Sequence, residues 1–179
     1  MYSDRIVKTR PKDHTLAILV YDEPGVFMRI SNLFLKRNFN ITTLTVSPSA
    51  TAGLSRFTIT FRGDDNTYEQ MVKQLNKLVD VIKTSDMESK SSIVRDLCLI
   101  KVKTKDLHAQ NQVMNYCQSY HGKVVDITQE EVVVELVGKP DKIDAFLELV
   151  RPLGIKEIAR TGVTALTRGN KSVEDQKSK

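Results

Sequence analysis

Tryptophan is absent from this 179-residue chain, and cysteine, with two residues, histidine, with three, and glycine, with eight, are scarce. Two cysteines cannot build a disulfide scaffold. Cys98 falls in an apolar strand pattern and Cys117 in an apolar helix stripe, so both read as small buried hydrophobes in a reducing compartment. No apolar run approaches the roughly 20 residues that cross a bilayer. The stretch Met1-Tyr2-Ser3-Asp4-Arg5 also lacks the apolar core of a signal peptide, so a cytoplasmic location is expected.

The usual carriers of chemistry are missing too. Neither G-x-x-x-x-G-K-[ST] nor G-x-G-x-x-G occurs, which leaves no recognisable nucleotide cradle. His14, His108 and His121 have no second ligand three or four residues on, and the pairs Asp64-Asp65 and Glu130-Glu131 fall where turns and caps account for them. No catalytic residue and no metal site are expected. The net charge of +5 lies in the arm Lys8, Arg10, Lys12 and on helix faces such as Lys73 and Lys77. It lacks the blocks of like charge that mark a nucleic-acid-binding tail.

What is present is a repeat. Leu16 to Tyr21 reads as a strand, and Val26, Ile30, Leu33 and Phe34 place one apolar face on a helix over 25–37 that must stop at Asn38. Ile41 to Val46 and Phe57 to Phe61 follow as strands, the latter alternating with Thr58 and Thr60 as in a sheet with one wet face. Gly63-Asp64-Asp65-Asn66 supplies turn and cap before a helix carrying Tyr68, Met71, Val72 and Leu75, and Val79 to Thr84 closes the unit.

The same order returns after a polar linker at 87–92. It runs through Leu97 to Val102, a helix bearing Val113, Tyr116, Cys117 and Tyr120 that ends at His121-Gly122, then Val124 to Ile127 and Val132 to Val137. A helix with Ile143, Phe146, Leu147 and Val150 and a strand Ile155 to Ala159 complete it. The chain is therefore expected to be α+β, two tandem ferredoxin-like βαββαβ domains spanning 14–86 and 93–170, with flexible tails at 1–13 and 171–179. Each sheet should have helices on one side only. A bare face and free edges favour pairing with a second copy, so a homodimer is expected.

One junction points to a ligand. Asp22-Glu23-Pro24-Gly25 joins the first strand to the first helix, where free amides and the positive end of the helix dipole bind a carboxylate and glycine leaves room for it. A well-capped helix start explains the same residues without a ligand. Read functionally, Asp22 and Asn40 offer oxygens to an ammonium group, and Val26 and Leu44 an apolar rest. Together these describe a free aliphatic amino acid.

Three longer series carry a resemblance. Leu19-Val20-Tyr21-Asp22-Glu23-Pro24-Gly25-Val26, Arg37-Asn38-Phe39-Asn40-Ile41-Thr42-Thr43-Leu44-Thr45-Val46 and Leu54-Ser55-Arg56-Phe57-Thr58-Ile59 resemble the ACT domain of the small regulatory subunits of acetolactate synthase, also called acetohydroxyacid synthase. The similarity continues through Gln74–Val81, Arg95–Val102, Lys142–Leu147 and Arg160–Val163, covering roughly residues 14 to 169. Single pieces such as Asp-x-Pro-Gly are weak signals, but the ordered series is strong.

The resemblance implies a subunit without catalytic residues or cofactors of its own. It would activate a separate large catalytic subunit, which would hold thiamine diphosphate, Mg and FAD, and would confer feedback inhibition by a branched-chain amino acid, usually valine. It further implies a homodimer through the ACT domains, with effector between two chains and Asp22, Gly25, Val26, Asn40 and Ser47 at the matching positions. Ser47 stands where alanine is common, and Leu166-Thr167-Arg168-Gly169 replaces the more usual Leu-Ser-Arg-Gly. The rival from another class is an RNA-binding module of the same βαββαβ topology, although the third strand lacks the glycines of the RNA-recognition signature. An independent small hydrolase is the third reading.

Overall fold

In the computed structural model, which describes residues 11–87 and 90–175, the elements come in the order β1 (Lys12–Tyr21), α1 (Val26–Lys36), β2 (Ile41–Pro48), β3 (Leu54–Gly63), α2 (Asp65–Leu75) and β4 (Val81–Asp86). Then come β5 (Ser92–Lys103), α3 (Leu107–Ser119), β6 (Lys123–Ile127), β7 (Glu131–Gly138), α4 (Pro140–Val150), a 3₁₀ turn (Arg151–Leu153), β8 (Ile155–Arg160) and β9 (Thr164–Thr167). The first sheet has the strand order β2-β3-β1-β4 and the second β6-β7-β5-β8, with β9 added beside β5. The βαββαβ arrangement is thus present twice, as α+β layers with antiparallel sheets. Even the register irregularities recur, one in the second strand of each sheet and one where the first strand meets the last.

Local chemistry explains the helix boundaries. Asp64 and Asp106 cap α2 and α3, accepting the amides of Thr67 and Ala109 at 2.8 Å each. Helices α1 and α3 stop alike. Phe39 N–H bonds Phe34 O at 3.0 Å with Asn38 left-handed (φ 56), and Gly122 N–H bonds Cys117 O at 2.8 Å with His121 left-handed (φ 51). The left-handed residue ending α3 is therefore His121, and Gly122 serves a different need. A Cβ there would stand 3.0 Å from Glu135 O and 3.1 Å from Cys117 Sγ, so the glycine permits close packing of α3 on β7.

The chain divides into two compact units, one comprising residues up to Ile93 together with those from Ala165 onward, the other Val94–Thr164. In the first, Leu16, Ile18 and Val20 of β1 and Phe57, Ile59 and Phe61 of β3 pack on Val26, Ile30, Phe34, Met71 and Leu75 of the helices. In the second, Cys98, Ile100, Val102, Val132, Val134 and Leu136 pack on Val113, Cys117, Ile143, Phe146 and Val150.

The first sheet departs from expectation. Its other face was to be wet, yet Ala17, Leu19, Thr58 and Thr60 are buried there as well. To this face the C-terminal segment, expected as a flexible tail from residue 171, is tied. Lys83 Nζ donates to Ser172 O at 3.1 Å and to Asp175 O at 3.0 Å, and Val173 is buried. At the other end, Lys12 and Asp13 already belong to β1, while residues 1–10 and 176–179 of the expected tails lie outside the described residues. The expected linker is not wholly exposed either. Met87 and Ser92 are buried, and residues 88 and 89 lie outside the described residues.

Candidate effector site

The tip of α1 is built by backbone geometry. Gly25 takes the N-cap in the left-handed region (φ 86), with no side chain capping the helix, and its carbonyl accepts the first helical bond from Arg29 N–H at 3.0 Å. The first-turn amides thus form the positive end of the helix, the arrangement that holds a carboxylate. Pro24 lies before the cap rather than inside the helix. Any side chain on residue 25 is strained, because its φ disfavours one and a Cβ would stand 3.0 Å from Arg29 Nη1.

That contact exposes a residue pair the sequence did not announce. Arg29, one turn along α1 from Gly25, donates through Nε to Asp80 Oδ2 at 2.5 Å and through Nη2 to Asp80 Oδ1 at 2.9 Å. The hydrogen bond to Arg29 holds the Asp80 carboxyl below its ordinary range, and the same bond raises the arginine. An arginine held by its ion pair with Asp80 therefore flanks the helix tip, with Nη1 toward Gly25. The only local clue is the four-residue spacing of Gly25 and Arg29. Asp80 arrives through the sheet, where Tyr21 N–H bonds Asp80 O at 3.0 Å.

Asp22 is exposed and ties the loop down. Its amide donates to Gly53 O at 2.9 Å, and its Oδ1 accepts the Ser55 hydroxyl at 3.0 Å. Val26 is buried in the core, and Leu44 is half-buried against the same core on the helix side of β2. The remaining two residues are placed elsewhere. Ser47 pairs with Arg56 while Leu44 pairs with Ile59, so Ser47 points to the opposite face of the sheet.

Asn40, exposed, precedes Ile41, which pairs with Phe61 and through it with His14 at the start of β1, whereas Asp22 follows the end of β1. Seven residues of strand, ~23 Å, separate those ends. Within one chain Asn40 and Asp22 do not meet.

Other sites stay structural. Cys98 and Cys117 are free thiols, and burial pushes both up from the ordinary thiol range, away from nucleophilic reactivity. Among the described residues no group of three His, Cys, Asp or Glu side chains is placed to hold a metal ion, and no helix is long and apolar enough to cross a membrane. Phe57 and Phe61 of β3 face the helices and are buried, which removes them from the outer sheet face that an RNA-recognition domain uses for base stacking.

Two family descriptions match the chain in the same order as its units, "AHAS small subunit-like ACT domain" over residues 16–83 and "Small subunit of acetolactate synthase" over residues 95–169. A probable acetolactate synthase small subunit of Methanothermobacter thermautotrophicus is 44% identical over 168 residues, covering 94% of this chain and 100% of the relative. The acetolactate synthase small subunit of Mycolicibacterium smegmatis is 41% identical, covering 89% of this chain and 94% of the relative. The crystal structure of the small subunit from Thermotoga maritima superposes with a TM-score of 0.80 at 37% identity, covering 89% of this chain and 99% of that one. With the duplicated fold, the glycine-opened helix tip and near end-to-end similarity in agreement, this chain belongs to the acetolactate synthase small-subunit family, the regulatory subunits that carry an ACT domain.

Proposed function

We propose that this chain activates a separate acetolactate synthase catalytic subunit, binds a branched-chain amino acid, taken here as valine, and uses it to inhibit that enzyme by feedback in branched-chain amino acid biosynthesis. The catalytic subunit would supply thiamine diphosphate, Mg and FAD, and both would work in the cytoplasm. The observation that carries the reading is the uncapped tip of α1, whose free first-turn amides suit a carboxylate, with Nη1 of the Asp80-paired Arg29 beside it. Beside that tip Phe27 and Val46 remain about half exposed, apolar surface of the kind an aliphatic side chain covers.

The ammonium end then requires a second chain. Asn40 lies at the far end of the same sheet, but β2 is an edge strand. Two copies joined along this edge would bring Asn40 of one toward the α1 tip of the other, so the effector would be held between protomers. Binding would shift the dimer between two arrangements, and residues 93–169 would carry the change to the catalytic subunit.

Calorimetry of the purified chain with valine, leucine and isoleucine, followed by acetolactate formation with the catalytic subunit added, tests this directly. Asn40→Ala is expected to weaken effector binding about tenfold, leaving activation intact. Loss of binding and activation together would instead make Asn40 structural. Valine binding at wild-type strength in this variant would show the pocket to be elsewhere.

A further inference from the structure

The outer face of the first sheet is the side turned away from α1 and α2. One row across it runs Ser47 on β2, Arg56 on β3, Leu19 on β1 and Lys83 on β4, each opposite the next. The chain returns to this unit at Ala165 and stays with it. Arg56 Nη2 donates to Ala165 O, Lys83 Nζ donates to the carbonyls of Ser172 and Asp175, and Ala50 N–H donates to Glu174 Oε1 at 3.4 Å. Residues 165–175 are therefore held at both sides of the row, over Leu19, which is 1% exposed.

The attachment is of an unusual kind. Sheet faces buried on both sides read as near-continuous Val, Ile and Leu, whereas this one mixes Ala17 and Leu19 with Thr58, Thr60, Arg56 and Lys83. Residues up to Thr167 are fixed in β9 beside β5, with Ala165 buried and Arg168 bonded to the carbonyls of Ser91 and Ser92. Past that point the anchors are Lys83 on the carbonyls of Ser172 and Asp175 and the Ala50 amide on Glu174, contacts that water replaces readily, and the apolar plug is Val173. Loss of solvation makes the Arg56 guanidinium less basic than usual, with Glu174 partly offsetting it, so opening the segment restores water to a desolvated charge. A segment held by few apolar contacts and exposed hydrogen bonds opens before the strands beneath it. Glu174 of the segment acts on the Arg56 charge, and Arg56 pairs directly with Ser47 on the edge strand where the second copy would dock.

We propose that residues 169–175 form a strap, hinged on β9, that opens locally from the outer face of the first sheet, and that its docking on Lys83 is linked to occupancy of the effector site. The linkage rests on the regulatory reading above and extends it. Hydrogen exchange followed by mass spectrometry on the full chain, with and without saturating valine, leucine or isoleucine, tests both parts. Amides of 169–175 should exchange at least about tenfold faster than those of Leu16–Val20. Lys83→Gln and Val173→Ser should each speed the segment further and leave β1 unchanged, and effector should alter exchange of the segment by about fivefold or more.

Exchange of the segment in step with β1, in the wild type and both variants, would overturn the strap. Binding heat with unaltered exchange would overturn the linkage alone. No heat from any of the three amino acids would overturn the regulatory reading and the linkage with it.

Discussion

Strands β1 and β5 hold the same place in their two sheets yet live in different surroundings. In β1 every residue from Leu16 to Val20 is buried, whereas β5 alternates, with Cys98, Ile100 and Val102 buried and Leu99 38% exposed between them. Both strands pack one face on two helices. The difference lies on the other face, which in the first sheet holds the returning chain through Arg56 and Lys83. In the second it carries ion pairs such as Lys101 with Glu157 and Lys156 with Glu131. The lesson is that duplicating a fold copies its helix-facing core but not what lies on the open side of the sheet. That side is free to diverge, because an antiparallel sheet tolerates water on one face.

The sharpest way to break this contrast is to truncate one leucine on each outer face. Leu19→Ala should cost about 2–5 kcal/mol, as for a filled core site, and Leu99→Ala less than about 1 kcal/mol. Equal losses in urea unfolding would mean that the first sheet is no better covered than the second.

Next in size is the buried carboxylate Asp96, which takes Arg160 Nε at 2.5 Å and the Thr161 hydroxyl at 3.4 Å while Arg160 also reaches the exposed Asp144. Asp96→Ala should lower stability by about 2 kcal/mol, since it strips a partly buried guanidinium of its inner partner. Asp80→Ala, which frees the more open Arg29, should lower the melting temperature less, and the reverse order would contradict the burial of the two pairs.

The smallest effect separates the two left-handed helix ends. His121→Gly should stabilise by about 0.5–1 kcal/mol, because a bulky residue is costly there, whereas Asn38→Gly should be near neutral because asparagine tolerates that conformation. Thermal melts of both variants would show whether the repeated stop signals carry unequal strain.

Much of the fold could be read along the chain. Apolar spacing located all four helices and the eight strands of the two repeats, and Asp64 acted as the cap its position suggested. The α1 tip was equally legible, because an Asp-x-Pro-Gly start is a local feature. The errors were long-range. Threonines alternating with Phe57, Ile59 and Phe61 suggested a wet face, but Thr58 and Thr60 are buried, and the same face takes bonds from a segment more than a hundred residues later. The unbroken run Leu16-Ala17-Ile18-Leu19-Val20 was the better clue, since a strand buried on both sides needs no alternation. Which chain supplies each effector residue was not legible either, because strand register sets Ser47 on another face and Asn40 at another end from Asp22.

By itself the sequence determined the periodicities, the caps and the glycine that opens α1, each a matter of neighbours within a turn or a strand. Tertiary structure alone decided that Asp80 fixes Arg29 beside that tip, that Asn40 stands a strand's length from Asp22, and that Arg56 and Lys83 hold the returning chain. The physical reason is that local rules act through dihedrals and spacing of a few residues. Which side chains meet across a sheet depends on register and on where a distant segment finds its hydrogen bonds.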